Sequence, residues 1–363
     1  RQRHMCIRDR YQLKALLATD GSYYANEDRV KANTTSVVQA ALYRRLGMEV
    51  RYAGYGVLTQ DGPKPELEAR LPKEKSAEVI KMIRRDLEDG VRALLDKPKR
   101  REELLDKALE LLEQIEMPEE VKAKIRDRIE RFLNDLRLGE GGEVCLANCR
   151  FGEPALTYKH EAYARVVAPL LHYIAEDASV EEVLKFLAHL IIYDGSASQN
   201  EVLLTMGHFG ARKEEKKLPL DIYDKIALYI VLAAKYGVEV RGIYIGKNET
   251  RIFFDPGYAA RAFFKAWADF SGPLRWGEAR ELYADHILEK LEAVREYVEV
   301  PTESIRIEHE LEEEENKPKV VVYFKDEEGR ELAYINIGWT GESLHAHFNG
   351  AKEKAERLAA ILN

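Results

Sequence analysis

Two short stretches of this chain each bring a carboxylate to the same kind of place. Residues 13–22 read LKALLATDGS and residues 186–198 read FLAHLIIYDGSAS, so Asp20-Gly21-Ser22 aligns with Asp194-Gly195-Ser196. Ahead of each aspartate, Leu13, Leu16 and Leu17 align with Leu187, Leu190 and Ile191. Apolar residues at that spacing predict a helix, and the Asp-Gly that follows predicts its C-terminal end. Two such helices packed together would bring Asp20 and Asp194 close to each other. Paired carboxylates are what divalent-metal phosphodiester chemistry requires. A single helix-terminal Asp-Gly is an ordinary cap; its repetition makes a candidate site.

The elements expected around the two motifs follow a similar order. After the first come a polar stretch, a strand at 29–32, and a helix capped by Thr34 or Thr35 that ends at Gly47. Two strands at 48–58 and 66–71 flank the turn Gln60-Asp61-Gly62-Pro63. After the second motif the pattern predicts a strand at 201–206, a long charged loop and an apolar helix at 221–236 ending at Gly237. Strands at 238–245 and 250–254 and a helix at 258–270 follow. Gly47-Met48-Glu49-Val50-Arg51 is echoed by Gly237-Val238-Glu239-Val240-Arg241 at the same place in the order, which supports a duplicated unit.

Between the copies, residues 73–138 predict long charged helices, with an apolar stripe through Leu104, Leu105, Ala108, Leu111, Leu112 and Ile115. A hinge at 139–142, a strand at 144–151 and a helix at 163–175 interrupted at Pro169 follow. From about 299 the pattern changes to strands at 304–309, 320–324, 331–337 and 344–348, then a helix at 351–362. The expected class is therefore α+β: a first unit at 1–72, a helical insertion at 73–178, a second unit at 179–298 and a small β-β-β-β-α domain at 299–363.

The chain has 363 residues, 45% hydrophobic and 33% charged, with a net charge of −8. That length buries a substantial core, and the many charges fit a thermophilic surface laced with ion pairs. The acidic balance counts against a nucleic-acid binder, because phosphate neutralisation needs a basic surface. Positive residues nevertheless cluster near the motifs, while Glu310–Glu315 is acidic. Cys6, Cys145 and Cys149 carry neither a disulfide framework nor zinc-site spacing, and are read as reduced structural thiols. No apolar run reaches membrane-spanning length and no signal peptide is visible, so a soluble, cytoplasmic protein is expected. His160, with Lys159 beside it, and the pair His345/His347 are weaker ligand candidates. No Gly-rich phosphate loop or Ser-His-Asp order occurs.

At the two DG-ended helices the chain resembles the LAGLIDADG homing endonucleases and related intron maturases. The resemblance spans roughly residues 10–85 and 180–270. It implies two αββαββα units packed through the motif helices, with β-sheets forming a DNA-binding saddle, in a monomer with an internal pseudo-two-fold. It also implies Mg²⁺ or Mn²⁺ at Asp20 and Asp194, with Gly21 and Gly195 beside the metal. Duplex DNA, or intron RNA, would be contacted by Arg44, Arg45, Arg51, Arg212, Lys213, Lys216, Lys217, Arg241, Lys247 and Arg251. Ala15, Ala18 and Thr19 suit close helix packing; His189, Ile192 and Tyr193 replace small residues in the second copy and are expected to hold the helices apart. A binding or scaffold protein that kept the fold without the chemistry is the alternative. The stretches CLANCRFG, ALTYKHEAY and LHAHFNGAKEKAERLA also resemble a multicopy repeat family of hyperthermophilic archaea, which implies a mobile or amplified element and no chemistry.

Overall fold

Helix α1 (Ile7–Ala18) buries Leu13, Ala15, Leu16 and Leu17 and delivers the chain into strand β1 (Gly21–Tyr24). The computed structural model describes residues 7–34, 39, 43–44, 46–59, 62–146, 155–198, 202–208, 220–247, 249–254, 306–314, 317–338 and 341–342. β1 pairs antiparallel with β2 (Arg29–Thr34), β2 with β4 (Gly62–Arg70), and β4 with β3 (Glu49–Thr59). Alternation along β2 buries Val30, Ala32 and Thr34 and leaves Arg29, Lys31 and Asn33 on the outer face. Gln39, Tyr43 and Arg44 are helical, and Gly47, at φ +78°, turns the chain into β3 in a conformation glycine adopts without strain.

The second motif starts another such set. Later helices are numbered in chain order: α2 (Lys73–Leu95), α3 (Pro98–Gln114), α4 (Glu119–Asn134), α5 (Glu161–Ala175), α6 (Val180–Asp194) and α7 (Ile222–Tyr236). Ser179 caps α6 by accepting from the Glu182 N–H at 3.1 Å. α6 leads directly into β7 (Gly195–Ser198), then β8 (Val202–Gly207). α7 begins with a capping box between Asp221 and Asp224 and ends at Gly237, again left-handed at φ +66°. Strands β9 (Val240–Ile245) and β10 (Glu249–Phe254) follow. The neighbour order β7-β8-β10-β9 is the order β1-β2-β4-β3 met in the first set, and the Gly47 and Gly237 echoes sit at matching places, just before β3 and β9.

The intervening helices are packed into this framework. α2 lies against α5, and α3, α4 and α5 against α7, while α1 packs on both α5 and α6. From α1, Lys14 pairs with Asp86 of α2 at 2.9 Å, with His172 of α5 at 3.5 Å from the same carboxylate. Burial pushes the His172 imidazole down to about 3, with Lys14 and Arg10 adding to it, so the ring is neutral there. β5 (Arg137–Leu138) and β6 (Val144–Cys145) form a short ribbon. Strands β11 (Arg306–Glu314), β12 (Lys317–Lys325), β13 (Glu331–Gly338) and β14 (Gly341–Glu342) form an antiparallel meander, and β14 pairs with β7 to make one eight-stranded sheet.

The architecture is thus mixed α+β with antiparallel sheets. Several local expectations change. The polar stretch after Asp20 is strand β1, whose four residues alternate in burial although GSYY shows no polar–apolar alternation. Pro169 does not interrupt α5, because burial of the helix on several sides outweighs one missing backbone bond. Cys145 is disulfide-bonded rather than a reduced thiol. Of the strand expected at 144–151, Val144 and Cys145 are extended, and 147–151 lies outside the described residues, as do the elements expected at 258–270, 344–348 and 351–362. No helix among the described residues is long and apolar enough to cross a membrane.

Candidate functional site

α1 and α6 pack side by side and end at one cleft of about 430 Å³, lined among others by Asp20, Asp194, Glu161, Arg165, His208 and Lys225. Asp194 is the last residue of α6, and Asp20 stands just past α1. Each is followed by a glycine that the geometry requires. A Cβ on Gly21 would stand 2.8 Å from the Leu16 carbonyl oxygen; one on Gly195 would stand 2.4 Å from that of Leu203 and 2.9 Å from the Ile191 Cα. Gly21 therefore lies against its own helix, and Gly195 between its own helix and β8, which leaves no room for a side chain after either aspartate. Gly195 is extended, so close approach and not its φ excludes a side chain.

The large residues of the second motif do not separate the aspartates beyond electrostatic reach. His189 is fully buried, with its ring edge-on to Tyr11 at 5.2 Å and Nδ1 2.8 Å from the Lys185 carbonyl oxygen. Tyr193 leans on Tyr43 at 6.0 Å between centroids, and its carbonyl accepts from Gln39 Nε2 at 2.9 Å. The rings are accommodated by aromatic neighbours; Ala15 and Ala18 of the first motif are buried.

The carboxylates have shifted acidities with identifiable causes. Burial, then the charge of Asp194, pushes Asp20 up to about 7, against the Tyr43 hydroxyl (3.4 Å from Oδ2) and Arg165. Burial pushes Asp194 up to about 6; Lys225 and Arg165 oppose it, and Glu249 adds to it. Lys225 is itself pushed down to about 8 by burial and by Arg165, while Asp194 supports its charge. Its Nζ donates to the Gly207 carbonyl at 3.2 Å. Two desolvated carboxylates whose negative charges repel each other suit a divalent cation, and Mg²⁺ is commonly held by one or two carboxylates with water completing its shell. Among the described residues no group of three or more His, Cys, Asp or Glu could hold a metal; an ion held by the two carboxylates alone would complete its shell with water. The Gly21 carbonyl accepts from Arg165 at 3.0 Å.

The expected nucleic-acid contacts divide three ways. Arg45, Arg212, Lys213, Lys216 and Lys217 lie outside the described residues. Arg44 donates to the Met48 carbonyl at 2.8 Å and ties off its helix. Arg51, Arg241, Lys247 and Arg251 are exposed on strands or at their turn. Arg51 meets Glu68 at 2.6 Å, and Arg251 meets Glu249 at 2.6 Å. The first sheet adds cations that sequence reasoning missed. Lys31, at 3.2 Å, and Arg70 also converge on Glu68. Burial pushes that carboxyl up, but the three donors outweigh it and hold it at about 2. Arg29 stacks over Tyr24 on the same sheet, 4.2 Å from the ring centre. His160 is the cap residue of α5, its Nδ1 accepting from the Thr157 N–H at 2.9 Å, and His345 and His347 are outside the described residues.

Arg165 and Lys225, also missed, each stand at the edge of a long apolar run within a helix, in ARVVAPLL and KIALYIVLAA. That is the signal that could have found them, because burying a charge is costly unless it has a partner.

Comparison with known proteins touches a different part of the chain. No curated protein and no solved structure matches it. Residues 243–363 match the family model described as PaRep2b protein, a repeat family of archaeal origin. The match begins within β9 and includes β11–β14 and one of the three resembling stretches, LHAHFNGAKEKAERLA, but neither Asp20 nor Asp194.

Proposed function

We propose that the two sets of elements are LAGLIDADG-type units and that the chain hydrolyses phosphodiester bonds of duplex DNA at Asp20 and Asp194. The observation that carries this reading is the convergence, in one cleft, of the aspartates ending two packed helices, each followed by a sheet of the same strand order. A divalent ion bound there would stabilise the attacking and leaving oxygens of an in-line displacement. The protein's own contribution is positional. α1 and α6 present the two carboxylates, Gly21 and Gly195 let the backbone turn away beneath them, and the low dielectric of the cleft favours a compensating positive charge. Burial pushes the Asp194 carboxyl up, and Lys225, on α7, is the leading charge that opposes it. The outer faces of the sheets, with Lys31, Arg51 and Arg70 on one and Arg241 and Arg251 on the other, are the surfaces proposed to follow the DNA backbone.

The test is cleavage of a randomised duplex library in Mg²⁺ or Mn²⁺ by the wild type, Asp20→Asn and Asp194→Asn. The reading expects cleavage lost in both variants; cleavage retained in either removes that residue from the chemistry. A second reading, nucleic-acid binding without cleavage, would rest on the cations gathered on the first sheet, Lys31, Arg51 and Arg70, without the aspartates. Salt-sensitive binding with no cleavage under either metal would select it; no affinity even at low salt would select a protein–protein scaffold.

A further inference from the structure

We propose that Arg165 is a positioning residue for Asp20: its guanidinium ties off the end of α1 and so fixes where the Asp20 carboxylate stands relative to Asp194. The inference rests on the metal-site reading above for its consequence, though not for its geometry. The last carbonyls of a helix have no partner within it, and α1 carries no basic residue in its last turn to supply one. Arg165, on α5, supplies the missing donor from another element. Its Nη1 lies 2.8 Å from the Leu17 oxygen, 2.6 Å from that of Thr19 and 3.0 Å from that of Gly21. Those carbonyls bracket Asp20 on both sides, and a cation there also complements the helix dipole.

The same region of the chain holds the next residues in turn. The Tyr23 hydroxyl donates to the Tyr158 carbonyl, and the Ala25 N–H donates to Glu161 Oε1 at 2.6 Å. Leu17, Thr19, Gly21, Tyr23 and Ala25 are thus gripped at alternate positions by α5 and the residues just before it. Thr19 adds a local brace, its Oγ1 donating to the Ala15 carbonyl at 2.8 Å. Asp20 sits in the middle of this clamped segment with its side chain left to face the cleft. The helical insertion is by this account part of the site.

The test uses the full chain and Mn²⁺ alone, with affinity read by water-proton relaxation and amide hydrogen exchange read at Thr19, Asp20 and Gly21. Arg165→Met keeps the aliphatic stem and removes the donors; it is expected to weaken Mn²⁺ by about 10–100-fold, the usual effect of losing a group that orients a ligand. Arg165→Lys is expected to recover most of that loss. In an Asp20→Asn background, Arg165→Met should add less than about twofold, since both changes act through one carboxylate. Wild-type affinity in Arg165→Met, or the same loss in both backgrounds, overturns the proposal. If Asp20→Asn and Asp194→Asn bind Mn²⁺ as the wild type does, the metal reading fails and the clamp is judged by exchange alone. Exchange at the three amides about tenfold faster in Arg165→Met upholds it, and unchanged exchange overturns it. Should Arg165→Met not fold, Arg165→Gln, which keeps one donor group, is read by the same criteria.

Discussion

At the end of α1, three carbonyl oxygens converge on Arg165 and the Tyr43 hydroxyl reaches the Asp20 carboxylate. At the end of α6, the charges that bear on Asp194 are those of Lys225, Arg165 and Glu249. The two helix ends share an Asp-Gly, a glycine with no room for a side chain and an antiparallel sheet of one strand order, yet they are stabilised by different means. The first has three backbone carbonyls on one guanidinium; the second has the Tyr193 carbonyl on Gln39 and a carboxyl opposed in its rise chiefly by Lys225. The sheets differ as well. Lys31, Arg51 and Arg70 crowd one carboxylate on the first, whereas the second exposes Arg241 and Tyr244 on an edge strand and pairs Arg251 with Glu249 beside it. The comparison teaches that a repeated topology fixes where a carboxylate is delivered, while its acidity depends on neighbours that the repeat does not supply.

The largest expected effect treats the two ends as equal. Asp20→Asn and Asp194→Asn should each lower DNA cleavage on the order of 10³-fold, several kcal/mol of lost charge stabilisation. A loss confined to one variant, measured as single-turnover cleavage, would break the equivalence.

The glycines should separate next. Gly195→Ala is expected to cost about 3–5 kcal/mol, because its Cβ would meet backbone on two sides at 2.4 and 2.9 Å. Gly21→Ala, whose nearest approach is 2.8 Å, should cost about 1–3 kcal/mol. Urea unfolding of the two variants measures the difference, and equal costs would show that the first end yields no more readily than the second.

Acidity sharpens the comparison further. Both carboxyls are raised in the folded protein, to about 7 and about 6, above a value of 3.8. The native state therefore binds more protons than the unfolded chain between those values. Without metal, stability is greatest at the acid end of that window and is lost as pH rises through 6 to 7. The two rises together set the fall at no more than about 7 kcal/mol, since a tenfold change in a proton-binding constant corresponds to about 1.4 kcal/mol. Asp20→Asn should flatten its upper part. By carboxyl-carbon NMR Asp20 should titrate above Asp194. Lys225→Met, which removes the leading charge opposing the rise of Asp194, should bring the two together or reverse their order.

The smallest effect lies on the sheets. Glu68→Gln removes the one acid among Lys31, Arg51 and Arg70, and should raise duplex affinity about threefold with a steeper salt dependence, the scale of an exposed charge contact. Arg251→Ala should lower the salt slope by about one. An unchanged slope in both variants would detach the sheets from DNA altogether.

Much of this arrangement was legible in the residues. The apolar spacing ahead of Asp20 and Asp194 marked two helices that do pack together, and Gly47 and Gly237 marked helix ends that are both left-handed. These are local signals, set within a turn or two of chain. β1 was not legible, because GSYY is four residues long and follows directly on a helix end. Arg165 could not be assigned to Asp20 from a distance of so many residues; only the packing of α5 on α1 makes it a partner. The accommodation of His189 and Tyr193 was hidden for the same reason, since Tyr11 and Tyr43 come from elsewhere in the chain.

By itself, then, the sequence determined which residues could end a helix in a carboxylate and repeat it, because hydrophobic period and turn chemistry are properties of neighbouring residues. The tertiary structure alone decided what surrounds those carboxylates: Arg165 on three carbonyls, Lys225 facing Asp194, and the C-terminal strands joined to β7 through β14. Burial and electrostatic coupling depend on distance through space, which no local pattern encodes.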